Sequence, residues 1–281
     1  MTNYSRVFAR AFYMEKITRN NIFDREKEYF YSKRMVIKIG SSTVFDQQAG
    51  INTAFIDSMA DQVERLRRNG TEVLFVCSGS VAVGRKSGRE RNIAAAIGQA
   101  KLTTSWTGVF EKHGLDVLQF LFSQGDLEDK EELEDLLRGA MSEGVVIVNG
   151  NDAVHRKDRT GHKSLIENND YFAGFIADTV GSDTLLLLTD VMGVLDEEQM
   201  LIPSVTRLED VNEVLDGKSV IGTGGMMTKC QAASMFVNSG NNGFSNNKRA
   251  YISSGGGENV LLNAAKGINV GTGFTQKPML Y

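Results

Sequence analysis

The chain has 281 residues, 41% hydrophobic and 23% charged, a balance that supports one large or two small folded domains and excludes a disordered chain. A formal net charge of −4 without a long basic run leaves no electrostatic footprint for nucleic acid, and no apolar run approaches the length of a membrane-spanning helix. Two cysteines, Cys77 and Cys230, are too few for a disulfide framework and point to a reduced, cytoplasmic protein.

Residues 1–34 read as an N-terminal extension. Arg6, Arg10, Lys16 and Arg19 sit among Phe8, Phe12, Tyr13 and Ile17, which can form one apolar helical face. An organellar leader is poor in acids, whereas this segment carries Glu15, Asp24, Glu26 and Glu28. A helix packed on the body or on a partner is the expectation.

From Met35 the pattern becomes that of a single domain over 35–281, with a substrate-side half at about 35–180 and a nucleotide-side half at about 181–281. A short apolar strand over 35–39 runs into Gly40-Ser41-Ser42, and a helix follows over 53–69. The strand at 73–76 ends at Cys77-Ser78-Gly79-Ser80. A helix over 92–112, a strand over 116–122 and an acidic amphipathic helix over 127–142 come next. The strand at 145–148 ends at Asn149-Gly150-Asn151-Asp152, and a helix over 169–180 leads to the strand 184–188, which ends at Thr189-Asp190.

The remainder is less regular. A polar, β-rich excursion with a short helix occupies 196–218, and a glycine string from Gly222 to Lys229 leads into a helix over 228–238. A loop over 238–248, a strand at 250–253, a turn at Gly255-Gly256-Gly257 and a closing edge strand at 270–274 complete the pattern.

Alternating strands and helices, with strands that are apolar throughout, predict an α/β three-layer sandwich around a central, mostly parallel sheet. Ligands in such sheets bind outside the carboxyl ends of the strands. Glycine and Asx residues at any one strand end would mean only a turn; at four ends on one edge they make a site rim.

The chemistry on that rim suits phosphoryl transfer, which depends on positioning and on stabilising charge. Glycines at 222–225 allow backbone N–H groups to approach phosphate oxygens, and Lys229 supplies charge, although the spacing is not that of a P-loop. Lys38 lies within an apolar strand, where it must point out of the sheet plane, as an edge lysine does, or find a counter-charge. No Cys/His cluster suits zinc, and His113, His155 and His162 are not part of a nucleophile elbow.

The segments Val36–Ser42, Cys77–Gly84, Val148–Val154, Leu188–Val194 and Gly222–Lys229, in this order, resemble the amino-acid kinase family, most closely its glutamate 5-kinases. The resemblance runs from about residue 35 to 274. It implies ATP and Mg²⁺ as cofactors, an amino-acid substrate and a homo-oligomer; that no RNA-binding-like C-terminal domain is expected here is a departure from the glutamate 5-kinases. It also implies that Lys38, Asp170 and Lys229 are catalytic, with the lysines gripping phosphates and Asp170 orienting them. Lys38, Thr189, Asp190, Thr223, Gly224, Gly225, Met226, Met227, Thr228 and Lys229 would line the nucleotide. Ser78, Asp152 and Asn169 would hold the amino acid, with Asp152 facing its ammonium. The implied reaction is phosphorylation of the side-chain carboxylate of L-glutamate, the first step of proline biosynthesis.

Two departures leave other readings open. The family's Asn-Glu-Asn-Asp is here Asn149-Gly150-Asn151-Asp152, and its Gly-Asp-Asn-Asp is Glu167-Asn168-Asn169-Asp170. The segment around 87–92 is also shorter than usual. The alternatives are a kinase for a different carboxylic substrate, or a nucleotide-binding regulatory subunit.

Overall fold

The computed structural model describes residues 31–154, 165–209, 211, 225–240 and 248–276. The expected helix within residues 1–30, Thr223, Gly224 and most of the expected 238–248 loop lie outside the described residues.

The strands form because short apolar runs are buried on both sides. In β1 (Arg34–Ile39) and β4 (Glu72–Cys77) successive side chains enter different cores, as the period of two requires. Val36, Leu74 and Val76 belong to one core with Leu185 and Leu187 of β7 (Thr184–Thr189). Ile37, Ile39 and Phe75 belong to the other, with Leu186 and Leu188. Helices α5 (Lys130–Glu143), α6 (Asn169–Thr179) and α7 (Met226–Asn238) cover the first face. Helices α2 (Thr53–Arg68), α4 (Arg91–Phe110) and α8 (Val260–Ala265) cover the second. The result is the expected three-layer α/β sandwich.

With β5 (Val117–Phe122), β6 (Val145–Gly150), β8 (Ser204–Val205), β9 (Arg249–Ser254) and β10 (Thr272–Thr275), the sheet runs β5-β6-β4-β1-β7-β9-β10-β8. The six strands from β5 to β9 are mutually parallel, and only β10 and β8 run the other way. β10 is therefore not the closing edge the sequence suggested. The two-residue β8, from the polar excursion, pairs outside it, and Gly273 N donates to Pro203 O. A strand so short leaves no alternation to read.

Three short helices went unread because their flanking glycines look like turn residues: α1 (Ser41–Val44), α3 (Ser80–Gly84) and α8. A small hairpin of β2 (Phe45–Asp46) and β3 (Gly50–Ile51) was also hidden. The glycine of α3 has a packing role. A Cβ on Gly84 would lie 1.8 Å from Ala94 O, and one on Gly98 would lie 1.8 Å from Ser80 O. Backbone meets backbone where α3 crosses α4, so neither position admits a side chain.

The first strand begins at Arg34, and the three described residues before it, Tyr31, Ser32 and Lys33, are tied down. Tyr31 N and Ser32 N both donate to Ala265 O, and Lys33 N donates to Asp183 Oδ2 at 2.7 Å. Among the described residues no helix is long and apolar enough to cross a membrane.

Candidate active site

Because β1, β4, β6 and β7 are parallel, their carboxyl ends share one edge of the sheet, where they open into a cleft of about 1200 Å³. Ser41, Ser78, Asp152 and Asp190, one from each of the four polar ends, line it.

The innermost group is charged. Lys38 shares the face of Val36, which α6 and α7 cover, and its Nζ lies 3.0 Å from Asp170 Oδ1. This contact is an ion pair rather than an aligned hydrogen bond. Asp170 stands in the first turn of α6, where Asn168 caps the helix by accepting from Asp170 N at 2.9 Å. Lys229, in the first turn of α7, places its Nζ 3.3 Å from Asp170 Oδ2, and the Thr228 hydroxyl donates to the same oxygen at 2.7 Å. Asp170 is 1% exposed, Lys38 6% and Lys229 7%, so the group is held almost out of water.

Burial, reinforced by Lys229, lowers the Lys38 pKa from its ordinary value against the opposing pull of Asp170. Burial pushes Asp170 upward, but Lys38, Lys229 and the Thr228 hydroxyl outweigh it and hold the carboxyl below the usual range. Lys38 and Lys229 thus converge on one carboxylate in a low-dielectric pocket at the head of the cleft.

Farther along, the cleft mixes neutral groups with charged ones, among them Arg85, Lys86, Arg89, Arg91, Asp152 and Glu167. Gly79, between β4 and α3, has φ +113°, a left-handed turn that favours glycine. It places Ser78 to accept from Asn169 Nδ2 at 2.5 Å. Asn169 Nδ2 also lies 3.5 Å from Asn149 Oδ1, and Asn149 Nδ2 donates to Gln99 Oε1 at 3.4 Å. Asp152 receives Ser80 Oγ at 3.4 Å and Arg91 Nη2 at 3.2 Å. At Gly150 a Cβ would lie 3.3 Å from Ile166 Cβ, so a side chain there would have to displace its neighbour.

The structure thus brings Lys38, Asp170, Lys229, Ser78, Asp152 and Asn169 to one cleft with Thr189 and Asp190, whose side chains are bonded to each other at 3.0 Å. Within the described part of the glycine string, Lys229 is the residue that lines the cleft. Met226 and Met227 pack against the core, and Thr228 turns to Asp170 and Gly225 O. Sequence reasoning missed the partnership of Arg91 with Asp152, that of Thr228 with Asp170, and the Asn149–Gln99 support of Asn169. Asn149 lies within a segment that carries the family resemblance, but its pairing with Gln99, 50 residues away, has no local signal.

Comparison with known proteins agrees with this geometry. A model of the amino acid kinase family matches residues 33–244. The chain is 32% identical to the glutamate 5-kinase of Shewanella amazonensis, over 86% of this chain and 66% of that protein. It is 34% identical to the glutamate 5-kinase of a Marinomonas species, over 86% and 67%. It therefore spans about two thirds of the length of these relatives. Among solved structures, Giardia carbamate kinase is similar in fold, with a TM-score of 0.60 at 15% identity over 88% of this chain and 100% of that one. The Giardia lamblia carbamate kinase bound to AMP-PNP gives a TM-score of 0.61 at 13% identity, over 88% and 99%. The match of the family model over most of the chain, on a fold and cleft of this kind, shows that the protein belongs to the amino acid kinase family.

Proposed function

We propose that the protein is an ATP-dependent carboxylate kinase that converts the side-chain carboxylate of L-glutamate to L-glutamyl 5-phosphate, the first step of proline biosynthesis. The observation that carries this reading is the buried Lys38–Asp170–Lys229 group, whose two lysines, held by one carboxylate at the head of the cleft, are placed to meet a transferring phosphoryl group. A substrate carboxylate oxygen attacks the γ-phosphorus of ATP in line, the bond to the ADP oxygen breaks, and ADP leaves with the electron pair. Lys38 and Lys229 neutralise the charge on the transferring group, and Asp170 keeps both ammonium groups aimed. A carboxylate is ionised at neutral pH, so no general base is required.

Thr189, Asp190 and Lys229 serve the nucleotide, with Thr228 supporting Asp170 behind them, while Ser78, Asn169 and Asp152 hold the amino acid. Among the described residues no three His, Cys, Asp or Glu side chains gather as a metal site, and both oxygens of Asp170 face ammonium groups. A Mg²⁺ ion bound with ATP would add to the neutralisation of phosphate charge that Lys38 and Lys229 provide. The buried free thiols of Cys77 and Cys230 are at home in a reducing cytoplasm.

Gly150 favours a second reading, a kinase for a different carboxylic substrate. Glycine stands here where glutamate 5-kinases carry an acidic side chain, and a Cβ at this place would press on Ile166 at 3.3 Å. One assay separates the two. ADP release and hydroxylamine trapping of the acyl phosphate are measured with glutamate, aspartate, N-acetylglutamate and carbamate. Glutamate-dependent ADP and hydroxamate support the first reading; another acid in its place supports the second. No carboxylate-dependent turnover defeats both.

A further inference from the structure

Asp152 does not stand alone in the cleft. Its Oδ1 lies 3.2 Å from Arg91 Nη2, and its Oδ2 accepts from Ser80 Oγ at 3.4 Å. Ser80 opens α3 and Arg91 opens α4, two helices locked together where Gly84 and Gly98 let backbone touch backbone. The relative position of the two side-chain roots is therefore fixed by the frame of the fold, not by a loop. Of the cations on this stretch of rim, Arg89 is used internally, because its Nη1 donates to Gly84 O. Arg85, Lys86 and Arg91 line the cleft beside it, and of these Arg91 is the one whose side chain reaches a carboxylate there, that of Asp152.

A guanidinium has five N–H donors in a planar fork, and a single contact to Asp152 leaves most of them uncommitted. The Arg91 side chain is 68% exposed, so those donors face water, while that of Asp152 is only 28% exposed. A fixed carboxylate with an adjacent guanidinium presents one anionic and one cationic group side by side. The complementary ligand also carries a cation and an anion on adjacent atoms. An α-amino acid head group, with an ammonium and a carboxylate on one carbon, has that form.

We infer that Arg91 and Asp152 together read the zwitterionic head of the acceptor substrate, with Asp152 taking the ammonium and Arg91 the α-carboxylate. Arg91 is thereby a specificity residue for an α-amino acid, whose distal carboxylate is left to face Lys38 and Lys229. The inference rests on the reading of the cleft as a carboxylate kinase site, and it adds the group that holds the non-reacting end of the substrate.

The test compares three ligands: glutamate; 4-aminobutyrate, which lacks the α-carboxylate; and glutarate, which lacks the ammonium. Calorimetric affinities in the presence of AMP-PNP and Mg²⁺ are measured alongside acyl-phosphate formation with ATP. The wild type should bind glutamate at least about tenfold more tightly than either analogue. Arg91→Met should weaken glutamate by a similar factor and leave 4-aminobutyrate unchanged, while Arg91→Lys should recover part of the loss. Asp152→Asn should weaken glutamate but not glutarate. The proposal is overturned if glutamate does not bind, or if Arg91→Met weakens glutamate and 4-aminobutyrate equally or neither. Acyl phosphate formed with no effect of Arg91→Met refutes the zwitterion reader and keeps the kinase. The expected binding pattern without acyl phosphate does the reverse.

Discussion

At one end of the cleft Asp170 is 1% exposed and faces two lysines that are nearly as buried; at the other, Asp152 meets an arginine whose side chain is 68% exposed. Removing a partner from the first group strands a charge without water, which costs several kcal/mol in comparable sites. Removing a partner from the second lets water take its place, and the loss is small. On the proposed function the buried end takes the phosphoryl group and is therefore difficult to alter without losing the fold or the chemistry. The exposed end, which takes the acceptor, can be altered at its surface without stranding a charge.

The sharpest way to break the comparison is at the buried end. Lys229→Ala and Lys38→Ala should each lower kcat by about 10²- to 10³-fold, the range for a lost electrostatic stabiliser in a dry site. Steady-state ADP release checks this. Turnover near that of the wild type in both variants would remove the distinction between the ends and the phosphoryl assignment with it.

The frame of the acceptor end is the next target. Gly98→Ala places a Cβ 1.8 Å from Ser80 O, so α3 and α4 must separate. Overpacking of this kind costs about 1–3 kcal/mol or more, and a lower Tm together with a raised KM for the acceptor is the expected pair of results. An unchanged Tm would mean that the two helices are not a rigid support.

Ser78→Ala and Asp152→Ala should raise the acceptor KM while leaving the KM for ATP nearly unchanged. Asp152 should matter more, because bonds to a charged group are the stronger ones. Initial-rate measurements with each substrate varied in turn test the separation. An ATP KM that moves while the acceptor KM stays would mean the ends are reversed.

The smallest effect concerns the far end of α6, the helix that carries Asp170 in its first turn. Asp178, in its last turn, binds Lys130 and Lys248, each at 2.8 Å. Burial pushes its carboxyl upward, but Lys130, Lys248 and Ser239 outweigh that and bring it down to about 2. A depressed carboxylate contributes stability above its ordinary value of 3.8 and loses it as the pH falls toward 2. Asp178→Asn should cost about 1 kcal/mol at neutral pH, allowing for partial exposure, and should flatten the dependence of Tm on pH between 5 and 2.5. Parallel curves for the two proteins would contradict this.

How much of the molecule is legible in its sequence depends on the range of the interaction concerned. The strand over 184–189 is apolar for most of its length, and the helix at 53–68 repeats Phe55, Ile56, Met59, Val63 and Leu66 at helical spacing. Both are set by neighbours a few residues apart, and both appear where expected. The same rule accounts for what was lost. β8 has two residues, and α3 is a single turn that exists because Gly84 and Gly98 permit a contact with another helix.

The sequence by itself determined the α/β class, the parallel order of most of the sheet and the edge at which the polar strand ends gather. It did so because continuous burial and alternation with helices are local properties that survive in a linear pattern. Through the family resemblance it also marked Lys38, Asp170 and Lys229. Only the tertiary structure decided which partners these residues meet: Thr228 reaches Asp170 from 58 residues away, and Arg91 reaches Asp152 across 61. It also decided that Gly150 abuts Ile166 and that β8 rather than β10 closes the sheet. The reason is physical. Hydrogen bonds and ion pairs between distant segments depend on ångström-scale separations set by the packing of whole helices, and no spacing along the chain encodes those separations.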